Sequence, residues 1–297
     1  MNYIERFINR RKTWINSRSI PNKCLILLYH RVGAVNKRLD PYSLTVSPEN
    51  FSEHLRILKN YNVISLSELI KRINDKNLNN NYVVITFDDG YADNLYIVKP
   101  LLEKFNIPAT FFLTSGYSGK YFWWDKLAAF LEFFPNKKRE FIDYIYDILK
   151  HLSYNEKQNF INQIFLLSFS TDSKGLMKCM SKDEIISFAS SSLIEIGGHT
   201  VNHFPLGTLE KQYQKQEILK NKEDLENLLQ KEINLFSYPN GNYNNDTINI
   251  LKENSFVCGL TGSLGINSSS SDIFLLNRFS VRNWNQYSFK WFLKHWL

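Results

Sequence analysis

Short apolar runs separated by stretches of helical periodicity recur from Cys24 to Val281, and this alternation constrains the fold more than any other feature of the chain. Cys24 to Tyr29, Val83 to Ile85, Ala109 to Leu113, Ile194 to Ile196, Leu235 to Tyr238, Val257 to Leu260 and Leu275 to Val281 read as strands, with shorter segments at Leu44 to Val46 and Val63 to Ser65. The intervening stretches carry helix signals. Ser47-Pro48-Glu49 places an N-cap and a first-turn proline, Ser181 with Glu184 forms a capping-box pattern, and Leu209 to Gln230 is long and charged. Asp93 to Phe105 is also helical in pattern, with Pro100 expected to kink or divide it. Strands that alternate with helices are parallel. The expected fold is therefore α/β, a (β/α) barrel that is distorted or short of one closure.

From Gly116 to about Lys182 the rhythm stops. Tyr121-Phe122-Trp123-Trp124-Asp125 opens an aromatic segment, and amphipathic stretches follow near Lys126 to Phe134, Glu140 to Leu152 and Glu156 to Phe169. This predicts a helical insertion over about 117–182, with aromatics that either stack on sugar or, more in keeping with how aromatics are usually buried, form a satellite core. At 297 residues, with 43% hydrophobic and 22% charged residues, the chain fits one globular domain, 1–297.

The acids at one strand end are the first chemical signal. Val83 to Ile85 runs through Thr86 and Phe87 into Asp88, Asp89 and Gly90. Two adjacent carboxylates at a buried strand end repel, so a cation, a shared proton or a basic neighbour must hold the charge, unless both merely cap a helix near Tyr91. More than a hundred residues later another strand enters a loop, and His199 and His203 follow it at i and i+4. If Thr200 opens a helical turn, both imidazoles share one face. Two histidines and an aspartate make a facial metal triad with positions left for water and substrate.

TFDDG followed by H-T-x-x-H resembles the polysaccharide deacetylases of carbohydrate esterase family four, over about Leu25 to Val281. The resemblance implies the same distorted barrel, a divalent metal, in all expectation zinc, held by Asp89, His199 and His203, and Asp88 as general base. It implies that the backbone N–H after the proline of SYPNG, at Asn240, meets the oxyanion. Many relatives carry an arginine early in that third motif, where this chain has Ser237 or Tyr238; Arg278 on a later strand is the candidate replacement. Leu28-Tyr29-His30 resembles the exopolysaccharide-modifying members, which makes His30, at the end of the first strand, the candidate acid or orienting group. Leu293-Lys294-His295 nominally matches another family motif, but a residue so near the chain end is expected to fray.

The activity implied is removal of an N-acyl group, expected to be N-acetyl, from an amino sugar of a surface polysaccharide or its precursor. The alternatives are N-deformylation of a lipid-linked formamido sugar, or a barrel that binds carbohydrate without turning it over. The partner is a carbohydrate: an amino-sugar conjugate, an oligosaccharide or a lipid-linked sugar. A net charge of +7 admits nucleic acid, an anionic membrane or a phosphorylated substrate, and no nucleic-acid motif accompanies it. Residues 1–20 interleave Arg6, Arg10, Arg11, Lys12 and Arg18 with Ile4, Phe7, Ile8, Trp14 and Ile15. A basic helix of this kind either lies on an anionic bilayer or packs on the barrel. No apolar run there is long enough for a signal-peptide core, and Cys24, Cys179 and Cys258 form no paired framework; together these predict a cytoplasmic enzyme, free or peripheral on the inner face of the membrane.

Overall fold

Pairing of the apolar runs is parallel throughout the main sheet. In the computed structural model, which describes residues 22–36, 40, 42–130, 138–165 and 177–297, the strands are β1 (Cys24–Tyr29), β2 (Arg31–Val32), β3 (Thr45–Val46), β4 (Asn62–Val63), β5 (Tyr82–Phe87), β6 (Ala109–Leu113), β7 (Ile194–Gly198) and β8 (Phe279–Ser280). They order as β7-β6-β5-β1-β8, with β4 beside the start of β5, while β2 and β3 form a separate small pair. Parallel bridges Gly198–Phe236, Ser237–Leu260 and Leu260–Leu276 carry the pairing onward, and Leu276 lies just before β8, which returns to β1. The result is a closed but distorted barrel. Its irregular side is where Leu235 to Tyr238 and Val257 to Leu260, expected as strands, pair through single residues rather than through continuous ladders.

Around the barrel lie α1 (Pro48–Leu58), α2 (Leu66–Asn74), α3 (Lys99–Phe105), α4 (Trp123–Phe130), α5 (Lys138–His151), α6 (Tyr154–Phe165), α7 (Lys182–Phe188), α8 (Lys211–Leu229), α9 (Asn245–Glu253) and α10 (Gln286–Trp296). Local chemistry explains several boundaries. Ser47 caps α1 by accepting the Asn50 N–H, and Ser181 and Glu184 complete a capping box on α7. Pro100 divides the stretch after the acid pair: Asn94–Val98 is a π-turn, and α3 begins with the proline in its first turn, where a missing N–H costs no bond.

The strands of β1 and β5 are fully buried, and α1, α3 and α10 pack over them. A second core holds Tyr117, Phe122, Trp123, Trp124 and Leu127 with Ile142, Leu149 and Ile161. The aromatic segment is thus a satellite core under the inserted helices α4 to α6. All three cysteines are buried and free. Among the described residues no helix is long and apolar enough to cross a membrane. The basic segment 1–20, expected as a helix, lies outside the described residues.

Candidate active site

Register brings the chemistry to one end of the barrel. Tyr29 pairs with Phe87, so His30 and Asp88 leave adjacent strands at the same level. Leu113 pairs with Gly198, so His199 leaves β7 at the same rim, two residues beyond the level of Asp88. The C-terminal ends of these strands ring a cavity of about 790 Å³, lined by His30, Asp88, Asp89, His199, His203 and Arg278 among others.

Asp89 turns out of its strand with φ 79°, followed by Gly90 at φ 82°. Aspartate is among the few non-glycine residues that visit that left-handed conformation. The two histidines arrive through a loop, without the helical turn on which the reading of their spacing was conditional. Thr200 and His203 have φ 66° and 56°, so Thr200 to His203 is a loop and not a helix. A β-branched residue held there is strained, and surrounding bonds over-determine it. The Thr200 hydroxyl accepts the His203 N–H at 2.9 Å, and Glu217 Oε2 accepts the N–H groups of Val201 and Asn202 at 3.1 and 2.8 Å. His199 N–H is shared between Leu113 O and Asn221 Oδ1, each 3.0 Å away. Gly198 is needed for this: a Cβ there would sit 2.6 Å from Asn221 Oδ1.

The loop still delivers both imidazoles to one point, their ring centroids 4.8 Å apart. His199 Nδ1 donates to Ser237 O at 2.7 Å, which fixes the tautomer and leaves Nε2 facing inward. His203 Nε2 lies 3.3 Å, and His199 Nε2 3.7 Å, from Asp89 Oδ1. That oxygen is buried and accepts no hydrogen bond. One donor atom each from Asp89, His199 and His203 falls within 4.8 Å of the others, all three residues buried. A buried, orphaned carboxylate oxygen between two imidazoles is what a divalent cation would satisfy, and the O,N,N donor set suits zinc among first-row metals.

Asp88 is held from the opposite side. Arg278 Nη1 and Nη2 donate to its two oxygens at 2.7 and 2.8 Å, Nη2 donates also to Ser237 Oγ at 2.8 Å, and Nε donates to Thr261 O at 2.9 Å. Ser237 Oγ in turn donates to Asp88 Oδ2 at 3.2 Å. Burial would raise the Asp88 carboxyl, but the Arg278 guanidinium, with His199, overcomes it and holds the group well below the usual carboxylate range. His199 is lowered to about 4, first by burial. Burial likewise lowers His30. His54, in α1, is a core residue bonded to Tyr29 and to Trp284 O.

The other sequence candidates divide. Asn240 lines the cavity in the Pro239–Gly241 turn, with φ 56°. His295 does not reach it. It stacks on Trp291 in α10, and the end of that helix meets Asn81, whose Nδ2 donates to Leu297 O at the opposite end of β5. Residues that sequence reasoning passed over are Glu217 and Asn221; Ser237 and Trp124 were noted there only as the place of a missing arginine and as part of the aromatic segment. Gln214, Glu217, Ile218, Asn221 and Leu225 all lie on the buried face of α8, so the readable signal was polar residues in an apolar register. Trp124 walls the cavity 4.8 Å from the His203 ring, with its indole N–H donating to Tyr91 OH.

Comparison with known proteins places this geometry. The sequence model described as polysaccharide deacetylase matches residues 75–258. YxkH of Bacillus subtilis, whose name assigns it to the polysaccharide deacetylases, is 25% identical over 271 residues, 90% of this chain and 74% of that protein. Among solved structures, the Streptococcus pyogenes deacetylase PplD in complex with acetate superposes with a TM-score of 0.67 at 20% identity, covering 93% of this chain and 99% of that one. IcaB from Ammonifex degensii gives 0.65 at 19% identity, covering 93% and 97%. A de-N-acetylase from Aggregatibacter actinomycetemcomitans gives 0.61 at 19% identity, covering 93% and 100%.

Proposed function

The chain belongs to the polysaccharide deacetylase family, and from that premise we propose that it hydrolyses the N-acetyl group of an amino sugar within a surface polysaccharide or its precursor. The observation that carries this reading is the pairing of a clamped base with a three-residue donor cluster. Asp88, bound bidentately by Arg278, adjoins Asp89, His199 and His203. These three would hold a divalent cation, zinc by the donor set. Bound there, such an ion supplies Lewis acidity to the amide carbonyl and lowers the pKa of water.

The remaining steps belong to the chain. Asp88 enters as a carboxylate and takes the proton of the attacking water, while Arg278 and Ser237 keep its oxygens oriented. As the carbonyl carbon becomes tetrahedral, the backbone N–H of Asn240 donates to the developing oxyanion. The C–N bond then breaks, acetate leaves, and the sugar nitrogen must gain a proton. His30, level with Asp88 on the neighbouring strand, supplies it or orients the sugar. Burial lowers the His30 pKa, so as the acid it would take up the proton that Asp88 removed from water and pass that same proton to the departing nitrogen. Arg278 takes the duty that other members give to a third-motif arginine; the charge is the same and its strand differs.

Mass spectrometry of N-acetyl and N-formyl amino-sugar conjugates incubated with zinc-loaded protein tests the reading. Free amine is expected from the N-acetyl conjugates. Release from the N-formyl compounds alone would mean a deformylase. Sugar binding without release from either would mean a carbohydrate-binding barrel.

A further inference from the structure

A second chamber of about 580 Å³ lies between the barrel and the inserted helices, on the far side of the loop that carries His203. Asn202 and Gly116 line it, and Gly116 N–H donates to Val201 O at 3.0 Å, which ties the chamber's wall to the histidine loop. Tyr117 contributes to its wall and packs on Phe122 and Trp124, the aromatic layer behind the catalytic cavity. Its polar lining is Lys120, Lys126, Lys178, Gln158, Asn162 and Asn202; among the described residues lining it, none is acidic.

Three ammonium groups and three amides around one concavity form a donor-rich surface. Two of the cations are held in advance. Lys120 Nζ donates to Gly116 O at 3.2 Å, and Lys178 Nζ rests over the Tyr121 ring, 5.4 Å from its centroid. Preorganised cations lose less side-chain entropy when an anion arrives. Lys126 is partly buried, and desolvation lowers its ammonium from the ordinary value; an anion beside it would oppose that shift.

We propose that this chamber binds a phosphoryl group, whose negative charge and several acceptor oxygens suit a lining of lysines and neighbouring amides. The source is either a phosphate monoester or the phosphodiester of a linked glycan. The site is separate from the catalytic cavity, and the proposal does not depend on the deacetylase reading.

Calorimetric titration of the full chain with inorganic phosphate and with dimethyl phosphate tests it. Saturable binding to about one site per chain is expected, weakening as salt rises from about 50 to about 200 mM. Preference for inorganic phosphate assigns the monoester; preference for dimethyl phosphate assigns the diester. The triple variant Lys120→Gln, Lys126→Gln, Lys178→Gln should weaken binding roughly tenfold or more, whereas Arg282→Gln should leave it unchanged, because Arg282 lines the catalytic cavity and not this chamber. A melting curve checks that the triple variant folds, and Lys178→Gln alone serves if it does not. No saturable binding, binding that survives the lysine substitutions, or binding lost only with Arg282 overturns the proposal.

Discussion

Replacing Arg278 with Met isolates the electrostatics of the site. Arg278 and Asp88 are 2% and 4% exposed, so the substitution strands a buried carboxylate beside a second one, Asp89. Breaking a buried ion pair in this way costs about 3–5 kcal/mol. With an unfolding entropy of about 2.1 cal/mol/K per residue over 297 residues, Tm should fall by roughly 5–8 °C. The loss should depend on pH. In the parent protein the Asp88 pKa lies below its unfolded value, so its stabilisation is complete above the ordinary carboxylate range and is lost only as pH falls through the lowered value. Without Arg278, burial dominates and raises the carboxyl above its unfolded value. The variant then loses stability as pH rises through that raised value, and its deficit should be larger at pH of about 8 than at about 5.5. Scanning calorimetry with chelator present measures both, so that no bound cation compensates. Adding Asp88→Asn should restore most of the loss, because it removes the stranded charge. If Arg278→Met lowers Tm equally at both pH values, and Asp88→Asn rescues nothing, the clamp is packing and the charge argument fails.

Protein purified without chelator should carry about one divalent ion per chain by elemental analysis, and His199→Ala should lose it; full metal content in that variant rejects the ligand set. Asp88→Asn should keep the ion but lose turnover by about a hundredfold or more, whereas a near-normal rate would return Asp88 to a structural role. His30→Ala should slow the reaction comparably and, if His30 is the acid, remove the basic limb of the pH–rate profile, while His295→Ala should do neither. The reverse result would require the tail to fold over the site. Deleting residues 1–18 should reduce co-sedimentation with anionic liposomes, and added salt should weaken the binding of the intact chain; equal sedimentation of both chains argues that the segment packs on the protein instead.

Much of the site was legible as strand-end chemistry. Asp88, Asp89 and His30 follow largely apolar runs, and such runs alternating with helical stretches are buried on both faces as parallel strands under helices. Their ends must then gather at one rim, whatever the details of closure. The capping patterns at Ser47 and Ser181 were equally readable, because they depend on neighbours within four residues.

What the sequence could not decide are relations between residues far apart in the chain. Arg278 lies 190 residues from Asp88, and its bidentate contact exists because β8 pairs with β1, which pairs with β5. Spacing left the turn between His199 and His203 conditional on a helix, since i, i+4 says nothing about Thr200 at positive φ or about Glu217 and Asn221, which hold the loop in place. Polar residues on a buried helix face find their partners only through packing, and so do the ends of a chain: sequence left His295 available, and docking of the last helix carries it away from the site. Local pattern settles which residues can end a strand or cap a helix, because those energies are short-ranged. Which charge compensates which, in a buried site, depends on the closure of the barrel, and only the tertiary structure supplies it.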